Sequence, residues 1–148
     1  MDDPENKKET GDVMQIAFFL IPKAETVYLL DTFTMRQALE KMEYHGYNAV
    51  PVLDKEGHYL YTITAADFLW KMKNTPGLSF GDTENVKLSE ISRGTNVKAV
   101  NIDAKLQDLL TKATGQNFIP VVDDYGTYIG MVRRREIISY CLPFIVND

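Results

Sequence analysis

Tyr47-Asn-Ala-Val-Pro-Val-Leu-Asp-Lys-Glu-Gly-His-Tyr-Leu-Tyr-Thr-Ile-Thr-Ala-Ala-Asp-Phe-Leu-Trp70 aligns without gaps on Gln116-Asn-Phe-Ile-Pro-Val-Val-Asp-Asp-Tyr-Gly-Thr-Tyr-Ile-Gly-Met-Val-Arg-Arg-Arg-Glu-Ile-Ile-Ser139, at an offset of 69 residues. The Asn, Pro, Val, Asp, Gly and Tyr positions are identical, and the apolar positions coincide. The likeness continues upstream. Met35, Leu39 and Met42 fall on Leu106, Leu110 and Ala113 at offset 71, and Lys23 to Asp31 fall on Thr95 to Asp103 at offset 72. One order of matching segments, with small insertions between them, is the mark of a duplicated supersecondary unit.

Each copy reads as the same string of elements. Val27 to Leu30 and Val97 to Ile102 are short extended segments. Met35, Ala38, Leu39 and Met42 follow the i, i+3, i+4, i+7 rule that puts apolar residues on one helix face, as do Leu106, Leu109, Leu110 and Ala113. Val50 to Leu53 and Ile119 to Val122 are apolar runs that end in Asp54-Lys-Glu-Gly57 and Asp123-Asp-Tyr-Gly126. In both turns the Asp side chain can bond its own backbone, and Gly supplies a positive φ. A third strand, Tyr59 to Ile63 or Tyr128 to Val132, runs into a final helix beginning near Thr64 or Arg133. Neither copy can cover both faces of its small sheet alone, so the pair is expected to share a core. The expected fold is α+β, two pseudo-twofold-related βαββα repeats packed through their sheets. The expected division is a disordered acidic and polar tail at 1–12 and a first repeat with its lead-in helix at 13–73. A linker at 74–85 and a second repeat with its lead-in helix at 86–148 complete it, the lead-in helices being Val13 to Ile21 and Val86 to Ile91.

Bulk properties narrow the function classes. The chain of 148 residues is 45% hydrophobic and 25% charged, as globular domains are. Sixteen basic against twenty-one acidic residues give a net charge of −5, so general nucleic-acid binding is not expected and any basic site is local. One cysteine, Cys141, excludes an internal disulfide, and with two dispersed histidines it is too little for a zinc site. No apolar run approaches membrane-span length, and an acidic start without a cleavage site argues against a signal peptide. A cytoplasmic protein without membrane attachment is the expectation. No Ser–His or Cys–His constellation and no phosphate-binding glycine loop is visible, so the chain is not expected to be an enzyme.

The doubled motif resembles the tandem CBS-domain pair, or Bateman module, of the stand-alone bacterial type, over Val13 to Pro143. Val50-Pro-Val-Leu-Asp54 with Thr64-Ala-Ala-Asp67 matches the family pattern in full. Ile119-Pro-Val-Val-Asp123 also matches, but Arg133-Arg-Arg-Glu136 stands where the family has Thr-x-x-Asp. The resemblance implies clefts between the repeats and adenosine-nucleotide ligands: AMP, ATP, S-adenosylmethionine or cyclic di-AMP. The expected function is a non-enzymatic adenine-nucleotide sensor, cyclic di-AMP favoured and AMP or ADP next, that signals from an inter-repeat cleft to a separate effector protein. The nucleotide is a regulatory ligand rather than a cofactor. The competing reading is a ligand-free dimerisation and interaction platform.

The residues themselves carry both readings. Thr64 with Asp67 three positions on is a capping box, which needs no ligand; the family resemblance adds ribose for the Asp and phosphate for the Thr. Arg133, Arg134 and Arg135 put positive charge at a helix start, against the dipole. A bound phosphate turns that cost into a gain, since Arg forks match phosphate oxygens; otherwise they pair with Asp123, Asp124 or Glu136. By resemblance, Lys23, Ala24 and Thr26 line the adenine pocket, and Tyr47 and Ala49, with Phe118 in the second copy, lead in beside the base. Tyr47 is equally readable as a core aromatic. Pro51 and Pro120 shape their strands and touch ligand incidentally. A homodimer through the last helices is expected, with Phe68, Leu69, Ile137 and Ile138 as surplus apolar surface.

Overall fold

A computed structural model describes residues 16–94 and 96–146. The expected tail at 1–12 and the first residues of its lead-in helix lie outside them. In chain order the elements are β1 (Ile21–Pro22), β2 (Leu29–Leu30), α1 (Met35–His45), β3 (Ala49–Leu53), β4 (Tyr59–Thr64), α2 (Ala65–Asn74), β5 (Val100–Asn101), α3 (Leu106–Ala113), β6 (Phe118–Val122), β7 (Tyr128–Arg133) and α4 (Arg134–Val146). The mixed α+β class and the duplicated element order are those expected. The chain forms two compact units, residues 27–97 and residues up to 26 together with 98 onward. We call them the continuous and the discontinuous unit.

In the continuous unit, β2 runs parallel to β3, and β3 pairs antiparallel with β4, giving the sheet order β2-β3-β4. α1 is the crossover between the parallel strands. Thr34 accepts the Gln37 N–H and Gln37 Oε1 accepts the Thr34 N–H, so a full capping box starts it. Gly46, at φ 72°, ends it in the left-handed conformation. Leu29, Met35, Ala38, Met42, Val50, Val52, Ile63 and Phe68 form the core. Val86, Leu88 and Ile91 join it, although they precede the second repeat in sequence.

Val86 to Ile91 is not the short helix expected. Leu88–Glu90 makes a single 3-10 turn. The Met35 N–H donates to the Val86 carbonyl at 2.7 Å, and the Leu88 N–H donates to the Phe33 carbonyl at 3.0 Å. Six residues are too few for a self-supporting helix, and Phe33 and Met35 bond their backbone instead.

The discontinuous unit has the same β-α-β-β-α order plus an edge strand, in the sheet order β1-β7-β6-β5. Residues 16–19 are helical, and the chain then pairs as β1 antiparallel to β7, where a continued lead-in helix to Ile21 was expected. Ile16 and Phe19 lie in a core with Val100, Leu109, Ile119, Val121, Val132 and Ile137. Each lead-in segment therefore packs with the sheet of the other repeat.

Candidate ligand-binding site

Directly after Pro22 the chain makes a 3-10 turn, Lys23–Glu25, which lies against β7. Thr26 closes it, donating from its N–H and its hydroxyl to the Lys23 carbonyl at 3.0 and 2.8 Å. Tyr128, fully buried, donates its hydroxyl to Thr26 Oγ1 at 3.0 Å. Phe118 pairs with Arg133 across the β6–β7 hairpin, and Pro120 with Met131, whose other neighbour is Ile21. Eight of the thirteen candidate ligand-binding residues thus belong to this unit: Lys23, Ala24, Thr26, Phe118, Pro120, Arg133, Arg134 and Arg135. The register sets Thr26 near the Tyr128 end of β7 and Arg133 at the other end, five residues or roughly 16 Å along the strand.

The three arginines have different surroundings. Arg134 begins α4, and its N–H donates to the Asn117 carbonyl at 2.9 Å. Its guanidinium bonds the Asn117 side chain and reaches the Ala113 carbonyl at 3.5 Å, tying the helix start to the α3–β6 connection. Arg135 is exposed and lies 3.7 Å from Glu136. Asp124 accepts from the Asn101 side chain, and Asp123 Oδ1 accepts the Tyr125 and Thr127 N–H groups of its own turn. The side chain of Arg133, a half-buried residue, has no hydrogen-bond or ion-pair partner among the described residues.

The remaining candidates, Tyr47, Ala49, Pro51, Thr64 and Asp67, belong to the continuous unit. Tyr47 is exposed rather than core, its ring stacked at 6.2 Å on His45. Ala49 pairs with Thr64 across β3 and β4, and Pro51 is buried. Thr64 accepts the Asp67 N–H at 3.3 Å and Asp67 Oδ2 accepts the Thr64 N–H at 2.8 Å, the capping box read from sequence. Asp67 is 2% exposed, and its Oδ1 accepts the Gly94 N–H at 2.9 Å. Both carboxylate oxygens thus hold backbone of their own unit.

Sequence reasoning did not single out Gly130, Tyr128, Asn117 or Gly94. Gly130 has φ 156°, and a Cβ there would lie 2.1 Å from the Ile21 carbonyl oxygen. The glycine admits β1 to the sheet. Tyr61 is its counterpart in β4, at the same offset of 69 residues. There, among the described residues, the lead-in makes no pair with β4; the Arg93 guanidinium lies 3.8 Å over the Tyr61 ring.

Asp54, Glu56 and His58 are close enough to share a metal ion, but Asp54 Oδ1 already accepts the Glu56 and His58 N–H groups and Oδ2 bonds His58 Nδ1. Burial pushes the Asp54 carboxyl up, and these bonds more than offset it, leaving it below the ordinary carboxylate value. It is a turn cap, like Asp123 in the other copy. Tyr59 bonds the Thr62 hydroxyl at 2.8 Å and donates to the Val97 carbonyl at 3.0 Å. Burial raises its phenol above the ordinary 10.0, against the smaller opposing effects of Thr62 and Arg93. A raised acid ionises first in the unfolded chain, so its contribution is complete below pH 10.0 and is lost as pH rises through the folded value. Urea midpoints are expected to fall above pH 10.0, and to fall less steeply in Tyr59→Phe. Equal pH slopes for the two proteins would refute this.

Comparison with known proteins follows the duplicated pattern. The CBS domain family profile matches residues 13–74 and 88–143. The fold is similar to that of a CbpB protein crystallised in complex with c-di-AMP, at 20% identity over 98% of this chain and 97% of the other, with a TM-score of 0.78. A CBS domain protein from Streptococcus pneumoniae matches at 26% identity, 97% of both chains and a TM-score of 0.78. CbpB from Listeria monocytogenes, also in complex with c-di-AMP, matches at 20% identity over 90% of this chain and 99% of the other, with a TM-score of 0.77. No curated protein sequence matches the chain. Among the described residues no helix is long and apolar enough to cross a membrane.

Proposed function

The chain belongs to the CBS-domain family, and we propose that it is a non-enzymatic, cytoplasmic sensor of an adenine nucleotide, with cyclic di-AMP the favoured ligand and AMP or ADP next. The observation that carries this reading is Arg133: a half-buried arginine whose side chain has no partner among the described residues, at a helix start, in a net-acidic chain. Positive charge there opposes the helix dipole and is stabilised by a bound phosphate. Lys23, Ala24, Thr26, Phe118 and Pro120 lie along the same hairpin and would hold the rest of the ligand. Their spread along β7 suits a dinucleotide better than a mononucleotide. The bound c-di-AMP of structurally similar CbpB proteins supports the same choice. The ligand-bound form would then act on a separate effector protein.

In this reading the three arginines have unequal parts. Arg134 holds the α3–β6 connection, so its loss is expected to loosen the fold. Arg133 faces the anion, and Arg135 is placed to join it by leaving Glu136. Asp67 serves its own unit's backbone first, and ribose contact by it would be an added role.

We further propose a homodimer through the terminal helices. Leu69, Ile138, Leu142 and Ile145 stand exposed on α2 and α4. Phe68 and Ile137 do not belong to that surface: at 3% and 1% exposure they are core residues of their units.

Calorimetric titration of AMP, ADP, ATP, S-adenosylmethionine and cyclic di-AMP tests the sensor, with light scattering on the same samples for the dimer. Cyclic di-AMP is expected to bind. Arg133→Ala is expected to weaken it by about 2 kcal/mol, the worth of one charge-assisted bond, while leaving the ligand-free melting temperature unchanged or slightly higher. A chain that binds none of the five, and whose Arg133→Ala variant melts well below the parent, is instead a ligand-free interaction platform.

A further inference from the structure

We infer that Tyr128 is a positioning residue for nucleotide binding, acting through Thr26 on the Lys23–Glu25 turn; this rests on the reading of that turn as part of the ligand site. Tyr128 is 1% exposed, so it does not itself face a ligand. Its hydroxyl donates to Thr26 Oγ1 at 3.0 Å, and Thr26 Oγ1 donates to the Lys23 carbonyl at 2.8 Å. The Lys23 carbonyl also receives the Thr26 N–H, so one buried phenol fixes the side chain that closes the whole turn. A three-residue 3-10 turn has little hydrogen bonding of its own, and its N-cap, Pro22, supplies no side-chain bond. Its conformation therefore depends on what holds its end.

The other repeat contains the matched control. Tyr59 occupies the same position at offset 69, and its hydroxyl also reaches across to an incoming lead-in segment. There the hydroxyl bonds Thr62 of its own strand and donates to the Val97 main-chain carbonyl, rather than to a threonine that closes a 3-10 turn. Tyr59→Phe and Tyr128→Phe remove the same group from the same place in a duplicated fold. Only the second releases a turn on which ligand-lining residues sit. Two linked hydroxyls also explain a specific requirement: position 26 needs a side chain that accepts and donates at once, which serine satisfies and valine does not.

The experiment is titration of cyclic di-AMP into the 148-residue parent and into Tyr128→Phe, Tyr59→Phe, Thr26→Val and Thr26→Ser, with thermal melts of all five. Tyr128→Phe and Thr26→Val are expected to raise Kd about tenfold. Tyr59→Phe is expected to bind within about twofold of the parent, even where it melts as low as Tyr128→Phe, and Thr26→Ser is expected to recover part of what Thr26→Val loses. Parent-like binding by Tyr128→Phe overturns the inference while leaving the sensor intact. Equal losses in the two Tyr→Phe variants also overturn it, because they mark general loosening of the fold. A parent chain that binds no cyclic di-AMP but does bind another nucleotide of the panel moves the same comparison to that nucleotide. A parent that binds none overturns the sensor, and the positioning role with it.

Discussion

Gly130→Ala is expected to lower folding stability by about 3 kcal/mol or more, combining backbone strain with overpacking. Two separate costs meet at this position. The backbone sits at φ 156°, which L side chains rarely adopt, and the added methyl would lie 2.1 Å from the Ile21 carbonyl oxygen and 2.9 Å from Leu20 Cδ1. A flexible side-chain tip could move aside, but the carbonyl is held by the β1–β7 pairing, so relief requires the edge strand to leave the sheet. Gly126→Ala is the reference. It too has positive φ, 80°, but open space around the position, so it should lose only about 1 kcal/mol. Urea unfolding measures both. Amide exchange in Tyr128 to Val132 should quicken only in the Gly130 variant. Equal stability losses at the two glycines would show that the close approach carries no energy.

Asp67→Ala is expected to cost about 3 kcal/mol, because it removes a buried carboxylate that makes charge-assisted bonds to two backbone donors. The carboxylate holds the Thr64 N–H at the start of α2 and the Gly94 N–H of the incoming segment. Asn would keep the shape but offers only one acceptor oxygen, so Asp67→Asn should fall between Ala and the parent. The pseudo-equivalent Glu136 is exposed, and Glu136→Ala should stay within about 0.5 kcal/mol. Thermal melts of the three variants without nucleotide decide the matter. An Asp67→Ala protein as stable as the parent would mean that solvent replaces both bonds.

The duplicated fold was legible because the repeat itself is legible. Two gap-free copies with Asp-to-Gly turns at the same offset place β3, β4, β6 and β7 to within one residue. The capping box at Thr64 was equally visible, since capping is a local interaction between neighbours in sequence. Crossing of the lead-in segments was not read, because it depends on pairing between residues far apart in the chain. One signal was present. Gly130 interrupts an apolar strand where its counterpart is Tyr61, and a glycine inside a strand often marks the approach of another backbone. Unequal roles for Arg133, Arg134 and Arg135 were also out of reach. Three identical neighbours differ only through Asn117, Ala113 and Glu136, and sequence alone does not say which of these each guanidinium meets.

The crossing has a consequence for synthesis on the ribosome. Residues 27–97 are contiguous, so the continuous unit can fold once that stretch has emerged. The discontinuous unit cannot: Ile21 waits for Met131, and Pro22 for Gly130, on the order of a hundred residues later. During that interval the apolar residues Ile16, Phe19 and Ile21 have no sheet to cover them. Translation thus imposes an order of assembly, the nested unit before the enclosing one. Slowing elongation between residues 97 and 131 would prolong the exposure of the waiting segment, a period in which holdase chaperones would find their binding site on this chain.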